Sequence, residues 1–383
     1  MVDSSNIKHL SKEEIIKNGS IFTPQYLVTL VSELLDEYIS LNSVIGDFGS
    51  GYGAFLQQFG GKGKRCFATE YDKMSYRLLK KEYPKIQIYH ENSLLNISRN
   101  KYKLSAEDEL IVVGNPPYND VTSLYKKGEK GSLICDESVS SRDLGVSFLK
   151  TYSKLEAKYI CVLHPLAYLI KKNNFRSLGF FKENYKLIKS IIFSSKHFKS
   201  IKKTNSDFPV VASLYERNLQ GMNFNFIYDF EFNVYNSCKK IVFSNIKTID
   251  NIVDKYPKKG KHNGLQFYTL RDINALMRNT TFIEGDVSNG VEVQIESLYK
   301  YGWILFFKNN FKPQKNKYIY GNLSPLYPKK VTKEFKNASA YYAFNNNLLV
   351  RKYFSIKDME NEYGNELENK EILYACLKKM YIF

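Results

Sequence analysis

Asn115-Pro116-Pro117-Tyr118 is the stretch of this chain best suited to chemistry on a planar amine. Two consecutive prolines fix φ and bias the residues before them away from helical geometry, so the turn is stiff and its carbonyls point in set directions. The Asn115 side-chain oxygen and the Pro116 carbonyl are two acceptors for the two N–H bonds of an amine conjugated to an aromatic ring. Conjugation withholds the nitrogen lone pair, and acceptors on both hydrogens release it for attack on an electrophile. Tyr118 supplies a face on which the ring can stack. The bland alternative is a diproline turn that does no more than end a strand.

A second constellation lies upstream. Gly49, Gly51 and Gly53 let the backbone of a strand-to-helix turn approach a ligand closely. An acidic residue about 20 positions later can accept hydrogen bonds from ribose hydroxyls. Glu70 stands there, with Asp72 as its close competitor. A nucleoside-containing ligand is the reading, and a solvated loop carboxylate is the alternative for Glu70.

These residues need elements to hold them. Thr23 reads as a helix N-cap with Pro24 at the first helical position, followed by Leu27, Leu30, Val31, Leu34 and Leu35 at amphipathic spacing. Val44 to Phe48 reads as a strand that stops at the glycine turn, with a helix resuming near Ala54-Phe55-Leu56. The alternation continues with strand Cys66 to Glu70, helix Lys73 to Glu82, strands Ile86 to Tyr89 and Leu110 to Val113, helix Val146 to Lys154, and strand Tyr159 to Leu163. Strands separated by helices imply a parallel sheet. Leu187 to Phe193 and Val210 to Tyr215 read as a terminal antiparallel pair, which places the end of the α/β domain near residue 220. From 221 to 383, short aromatic and β-branched runs broken by Lys-rich turns predict a smaller α+β domain. Residues 119–142 read as a polar, flexible insertion.

Lys and Arg total 56 against 39 Asp and Glu, a formal charge of +17 that favours a polyanionic partner. Cys66, Cys135, Cys161, Cys238 and Cys376 are odd in number and contain no CxxC pair, so neither a disulfide framework nor a zinc site is indicated and a cytoplasmic location is expected. No apolar run approaches the roughly 18 residues of a membrane helix, and no membrane partner is expected.

The ordered set of motifs resembles the gamma-arrangement N6-adenine-specific DNA methyltransferases of the NPPY type found in restriction-modification systems. Family motif X resembles Ile21-Phe22-Thr23-Pro24, motif I Asp47 to Phe55, motif II Glu70-Tyr71-Asp72 and motif IV Asn115-Pro116-Pro117-Tyr118. Motifs III, V and VI are matched more loosely by Glu91 to Leu95, Asp143 to Phe148 and Val162 to Pro165. The likeness covers residues 19–218. It implies a Rossmann-like sheet binding S-adenosyl-L-methionine through Thr23, Asp47, Gly49, Gly51, Gly53, Glu70, Asn92 and Asn115, with Glu91 the alternative to Asn92. It implies catalysis by Asn115, Pro116 and Tyr118, with Phe198 as a second stacking aromatic and Phe208 as its rival. The implied substrate is an adenine flipped out of double-stranded DNA, read by a C-terminal target-recognition domain. A cognate restriction endonuclease sharing the site, and action as a monomer, belong to the same picture. An RNA adenine methyltransferase and a protein-glutamine N5 methyltransferase share the tetrapeptide chemistry. A nucleic-acid-binding module on a relic of the fold is the non-enzymatic alternative.

Overall fold

The structure is a computed structural model that describes residues 23–60, 65–118, 135–198, 208–249, 252, 264–268, 276–277, 280–285, 290–311, 325–365 and 369–380. The chain divides into two compact units between Phe243 and Ser244.

Unit 1 opens with α1 (Gln25–Leu35), whose Leu27, Leu30, Val31, Leu34 and Leu35 are all buried, as their spacing predicts. They pack against Ile45, Val113, Cys161 and Leu163 of the sheet. The core strands follow: β1 (Ser43–Phe48), β2 (Arg65–Glu70), β3 (Gln87–His90), β4 (Glu109–Gly114) and β5 (Tyr159–Pro165). They are linked through α2 (Ala54–Phe59), α3 (Lys73–Glu82) and α4 (Leu144–Lys154). Every residue of β1 is buried, as befits a strand covered on both faces. Beyond β5 come α5 (Ala167–Ile170), α6 (Lys172–Ser177), α7 (Phe181–Asn184), β6 (Tyr185–Ser194), β7 (Pro209–Arg217), α8 (Phe224–Asp229), β8 (Glu231–Val234) and β9 (Lys240–Val242).

The sheet has the order β3-β2-β1-β4-β5-β7-β6-β8-β9. Strands β1 to β5 are mutually parallel, and β7 runs antiparallel to both β5 and β6. Strand order reverses between β1 and β4, and in open α/β sheets that switch point leaves a crevice at the carboxyl ends of the strands. The glycine turn follows β1 and the tetrapeptide follows β4, so both motifs open onto one crevice.

Two expectations need correction. The pair β6 and β7 does not terminate the sheet, because β8 adds parallel to β6 and β9 antiparallel to β8. The compact unit therefore runs to Phe243 rather than to residue 220, since Phe232, Val234 and Ile241 are buried on these added strands. Their four- and three-residue lengths are too short to carry a convincing period in sequence. Thr23 does not cap α1 either. Pro24 holds the N-cap position with no side-chain cap bond, and the Thr23 hydroxyl is engaged elsewhere.

Unit 2 has α+β make-up. A three-stranded antiparallel sheet is ordered β11 (Phe282–Glu284), β10 (Leu265–Tyr268), β12 (Gly290–Glu292). Its helices are α9 (Leu298–Asn310), α10 (Lys333–Asn346), α11 (Leu348–Tyr353), α12 (Ile356–Tyr363) and α13 (Lys370–Lys379). Trp303 is wholly buried at the centre of this unit's core and donates its indole N–H to the Leu326 carbonyl at 2.7 Å. Among the described residues no helix is long and apolar enough to cross a membrane.

Candidate active site

The turn after β1 is shaped by its glycines. Gly49, Gly51 and Gly53 have φ of 74°, 56° and 80°, a left-handed region that costs other residues roughly 1–2 kcal/mol each. The amides of Gly49 and Ser50 both donate to the Thr69 carbonyl at 3.0 Å, which pins the turn to β2. Beneath it the Thr69 and Ser93 hydroxyls are 2.6 Å apart.

Two carboxyl groups face this turn from buried positions. Asp47, near the end of β1, is 1% exposed, and its Oδ2 has no hydrogen-bond partner among the described residues. Burial, reinforced by the Glu70 carboxylate, raises its pKa well above the usual carboxylate range. Glu70, the last residue of β2, accepts from the Gly51 amide at 2.7 Å through Oε2 and from the Asp72 amide at 2.8 Å through Oε1. Burial pushes its pKa up to about 7, although those amide donors pull it down. Asp72, the competitor in sequence, caps α3 by accepting from the Ser75 amide at 2.8 Å. Glu70 accepts from the glycine turn itself, whereas Asp72 accepts at the head of α3, and this separates the two acids.

Residue 92 lies beyond β3. The Asn92 side-chain oxygen accepts from the Leu94 amide at 3.0 Å, while Glu91 accepts from the Tyr102 hydroxyl at 2.7 Å and pairs with Lys101 at 3.1 Å. Glu91 is thus engaged with two side chains of the following turn.

The tetrapeptide leaves β4 immediately after Gly114. A Cβ on Gly114 would lie 3.3 Å from Asp47 Oδ1, so the absence of a side chain lets β4 pass close to that carboxyl. Asn115 donates from Nδ2 to the Thr23 hydroxyl oxygen at 3.1 Å, joining two residues 92 positions apart that the sequence separately marks. This bond uses the donor end of the amide and leaves Oδ1 as its acceptor end. In this structure that oxygen accepts from the Tyr118 hydroxyl. Tyr118 therefore folds over Asn115, and burial followed by the nearby Asp143 carboxylate raises its pKa well above the ordinary value. A ring seated this way must turn outward before it can stack on a substrate.

Sequence reasoning missed Tyr168 of α5. Its hydroxyl donates to Asp143 Oδ1, which also accepts from the Gly145 amide at 2.9 Å at the start of α4. Tyr168 also stacks on His164 with ring centroids 5.3 Å apart. His164 Nε2 lies 2.7 Å from the Tyr215 hydroxyl, and burial pushes the imidazole pKa down to about 4, so the ring is neutral at physiological pH. Tyr168 sits on a four-residue helix, which leaves no periodic signal to find it by.

Phe198 is a correction. It is 0% exposed and lies edge-on to Phe193 at 5.9 Å within the core cluster that backs α1. A ring with no accessible face cannot stack on an incoming base, and the packing that favours it is ordinary core burial. Phe208, its rival, is partly buried against the same cluster. Of the remaining expected positions, Ile21, Phe22 and most of the 119–142 segment lie outside the described residues.

No family model matches this chain, and no curated protein matches it. Several solved structures are similar over part of it. A Listeria monocytogenes protein provisionally classed as a class I S-adenosylmethionine-dependent methyltransferase is 17% identical, with 60% of this chain and 74% of that chain covered at a TM-score of 0.40. A TehB-like SAM-dependent methyltransferase from Corynebacterium glutamicum is 11% identical, over 49% and 87%, at 0.32. The magnesium protoporphyrin IX methyltransferase of Synechocystis PCC 6803, with bound SAM, is 11% identical over 56% and 86%, at 0.33. At these scores and identities the likenesses say nothing about this chain's substrate, and its chemistry rests on its own site.

Proposed function

We propose that this chain is an S-adenosylmethionine-dependent methyltransferase that methylates the exocyclic N6 of adenine in DNA. The observation that carries the reading is the Thr23–Asn115 bond, which sets an amide acceptor at the β4 end of the crevice, next to the glycine turn and acids of β1 and β2.

The residues on the β1 and β2 side fit the cofactor. Asp47 Oδ2 is a buried acceptor lacking a donor, and an ammonium group supplies donors. Glu70 is a buried carboxyl held against the glycine turn by backbone amides, and its oxygens are acceptors of the kind a ribose diol needs. The glycine turn has no Cβ at three of its positions, so a ligand can lie against its backbone. S-adenosylmethionine, when bound, supplies an electrophilic methyl group. Asn115 Oδ1 and the Pro116 carbonyl accept the two hydrogens of the adenine amine, and Tyr118, once released from Asn115, covers the ring face. The proton lost from nitrogen leaves by way of these neutral acceptors to solvent. With Phe198 confined to the core, the second stacking surface lies elsewhere. Unit 2 and the +17 charge support a DNA partner, with unit 2 as the target-recognition module.

The test is product identity. Methyl-free DNA incubated with the protein and S-adenosylmethionine is hydrolysed and its nucleosides analysed by mass spectrometry, with bulk RNA and a translation release factor in parallel. N6-methyldeoxyadenosine is expected. Methylation of cytosine, of RNA alone or of protein alone would overturn the proposed substrate.

A further inference from the structure

A groove of about 730 Å3 runs along unit 1 and shares no lining residue with the glycine turn or the tetrapeptide. Its walls come from α6, from α7 running into β6, and from the segment that leads into α8. The chain reaches it directly from the carboxyl end of β5 by way of α5, the helix that carries Tyr168.

The groove is basic and aromatic at once. Lys172 and Arg176, four residues apart on α6, project from one face. Lys182 and Lys186 face them, and Glu183, the one acid among the lining residues, is paired with Lys182 at 2.9 Å. Among the described residues no carboxylate lies within ion-pair distance of Lys172, Arg176 or Lys186. The Lys172 ammonium sits 5.8 Å from the Phe224 ring centroid, and that of Lys186 sits 5.1 Å from the centroid of Phe226. Both rings are half-buried in the wall rather than in the core. The floor is tightly built: a Cβ on Gly221, whose φ is 61°, would meet the Lys182 carbonyl oxygen at 2.4 Å.

We propose that this groove holds a single-stranded segment of nucleic acid, with phosphates on Lys172, Arg176 and Lys186 and unstacked bases against Phe224 and Phe226. Charge alone would suit any polyanion. Aromatic faces alternating with cations select a chain that alternates phosphate with planar rings, and that is the combination used by sequence-tolerant single-strand sites. A fully paired duplex hides its base faces from rings recessed in a wall. The groove binds such a strand by its own residues, and it needs no methyl transfer in order to bind.

The experiment measures binding of fluorescently labelled 20-nucleotide DNA and RNA single strands, and of the matching duplex, to the full chain across a salt series. The triple variant Lys172→Gln, Arg176→Gln, Lys186→Gln is expected to lower the log–log salt slope for single strands by about 2, at roughly 0.7 per phosphate contact. The charge-preserving Lys172→Arg, Lys186→Arg variant keeps the slope. Phe224→Leu with Phe226→Leu is expected to weaken single-strand binding by at least about fivefold at fixed salt with the slope unchanged. Unchanged melting temperatures identify folded variants. An unaltered slope in the triple variant, or losses as large on duplex as on single strands, would overturn the proposal. Relative losses on DNA and RNA tell which strand the groove takes.

Discussion

Asp47 and Glu70 are kept largely out of water, and among the described residues no cation pairs with either, so the site is held together at a cost that depends on pH. Glu70 has a native pKa of about 7 against about 4.5 when unfolded. The native state therefore holds its proton over a range where the unfolded chain has lost it. The contribution to stability is full below pH 4.5 and disappears as pH rises through 7. Between pH 5 and 8 this amounts to about 2–3 kcal/mol. Urea denaturation of wild type and Glu70→Gln at both pH values is expected to show wild type losing that much relative to the variant as pH rises. A constant difference would mean that Glu70 is ionised at pH 5. The ionised form is also the better acceptor for ribose hydroxyls, so cofactor binding opposes the loss.

The glycines of the turn after β1 differ in what surrounds them, so their substitutions differ in cost. An alanine at Gly49 meets only Phe148, at 3.9 Å, so Gly49→Ala carries backbone strain of roughly 1–2 kcal/mol. Gly53→Ala adds a Cβ at 2.8 Å from both Leu79 and Tyr83, and is expected to cost about 1–3 kcal/mol more by thermal or urea denaturation. Equal losses would show that α3 yields freely. Much of unit 1 was legible from sequence because β1, β4 and β5 are apolar runs that stop at Gly or Pro and α1 carries a 3.6 period. α3 matches its predicted bounds, and β4 and β5 extend theirs by only a residue or two. The site was legible wherever chemistry needs a rare local pattern, as at Asn115 and the glycine turn. Legibility failed where tertiary packing decides. Thr23 reads as a cap, but its hydroxyl takes the Asn115 amide, and Phe198 reads as a stacking ring but fills the core. The three- and four-residue strands β8 and β9 belong to the sheet only through pairing that no local pattern announces.

The chain combines a +17 charge with two separately cored units, and under the proposed function cofactor chemistry falls to one and target reading to the other. In unit 2, α9 and α10 meet at Gly302, where a Cβ would fall 1.9 Å from the Ser339 carbonyl oxygen. Gly302→Ala must force these helices apart, at a cost of about 1–3 kcal/mol or more. Calorimetric titration is expected to show weakened DNA binding by this variant with S-adenosylmethionine affinity retained. Loss of cofactor affinity would mean that unit 2 supports the site in unit 1.

The proposed function requires that Asn115, set by Thr23, activate an adenine amine for methyl transfer. Its most direct test is the rate of transfer of tritiated methyl from S-adenosylmethionine to methyl-free DNA by wild type and Asn115→Ala, with cofactor affinity measured on both. The variant is expected to lose at least about a hundredfold in rate, the scale of removing one preorganised polar group from a transition state, while the wild-type label is recovered in adenine. Wild-type transfer that survives in Asn115→Ala, or label recovered in any base other than adenine, would contradict it.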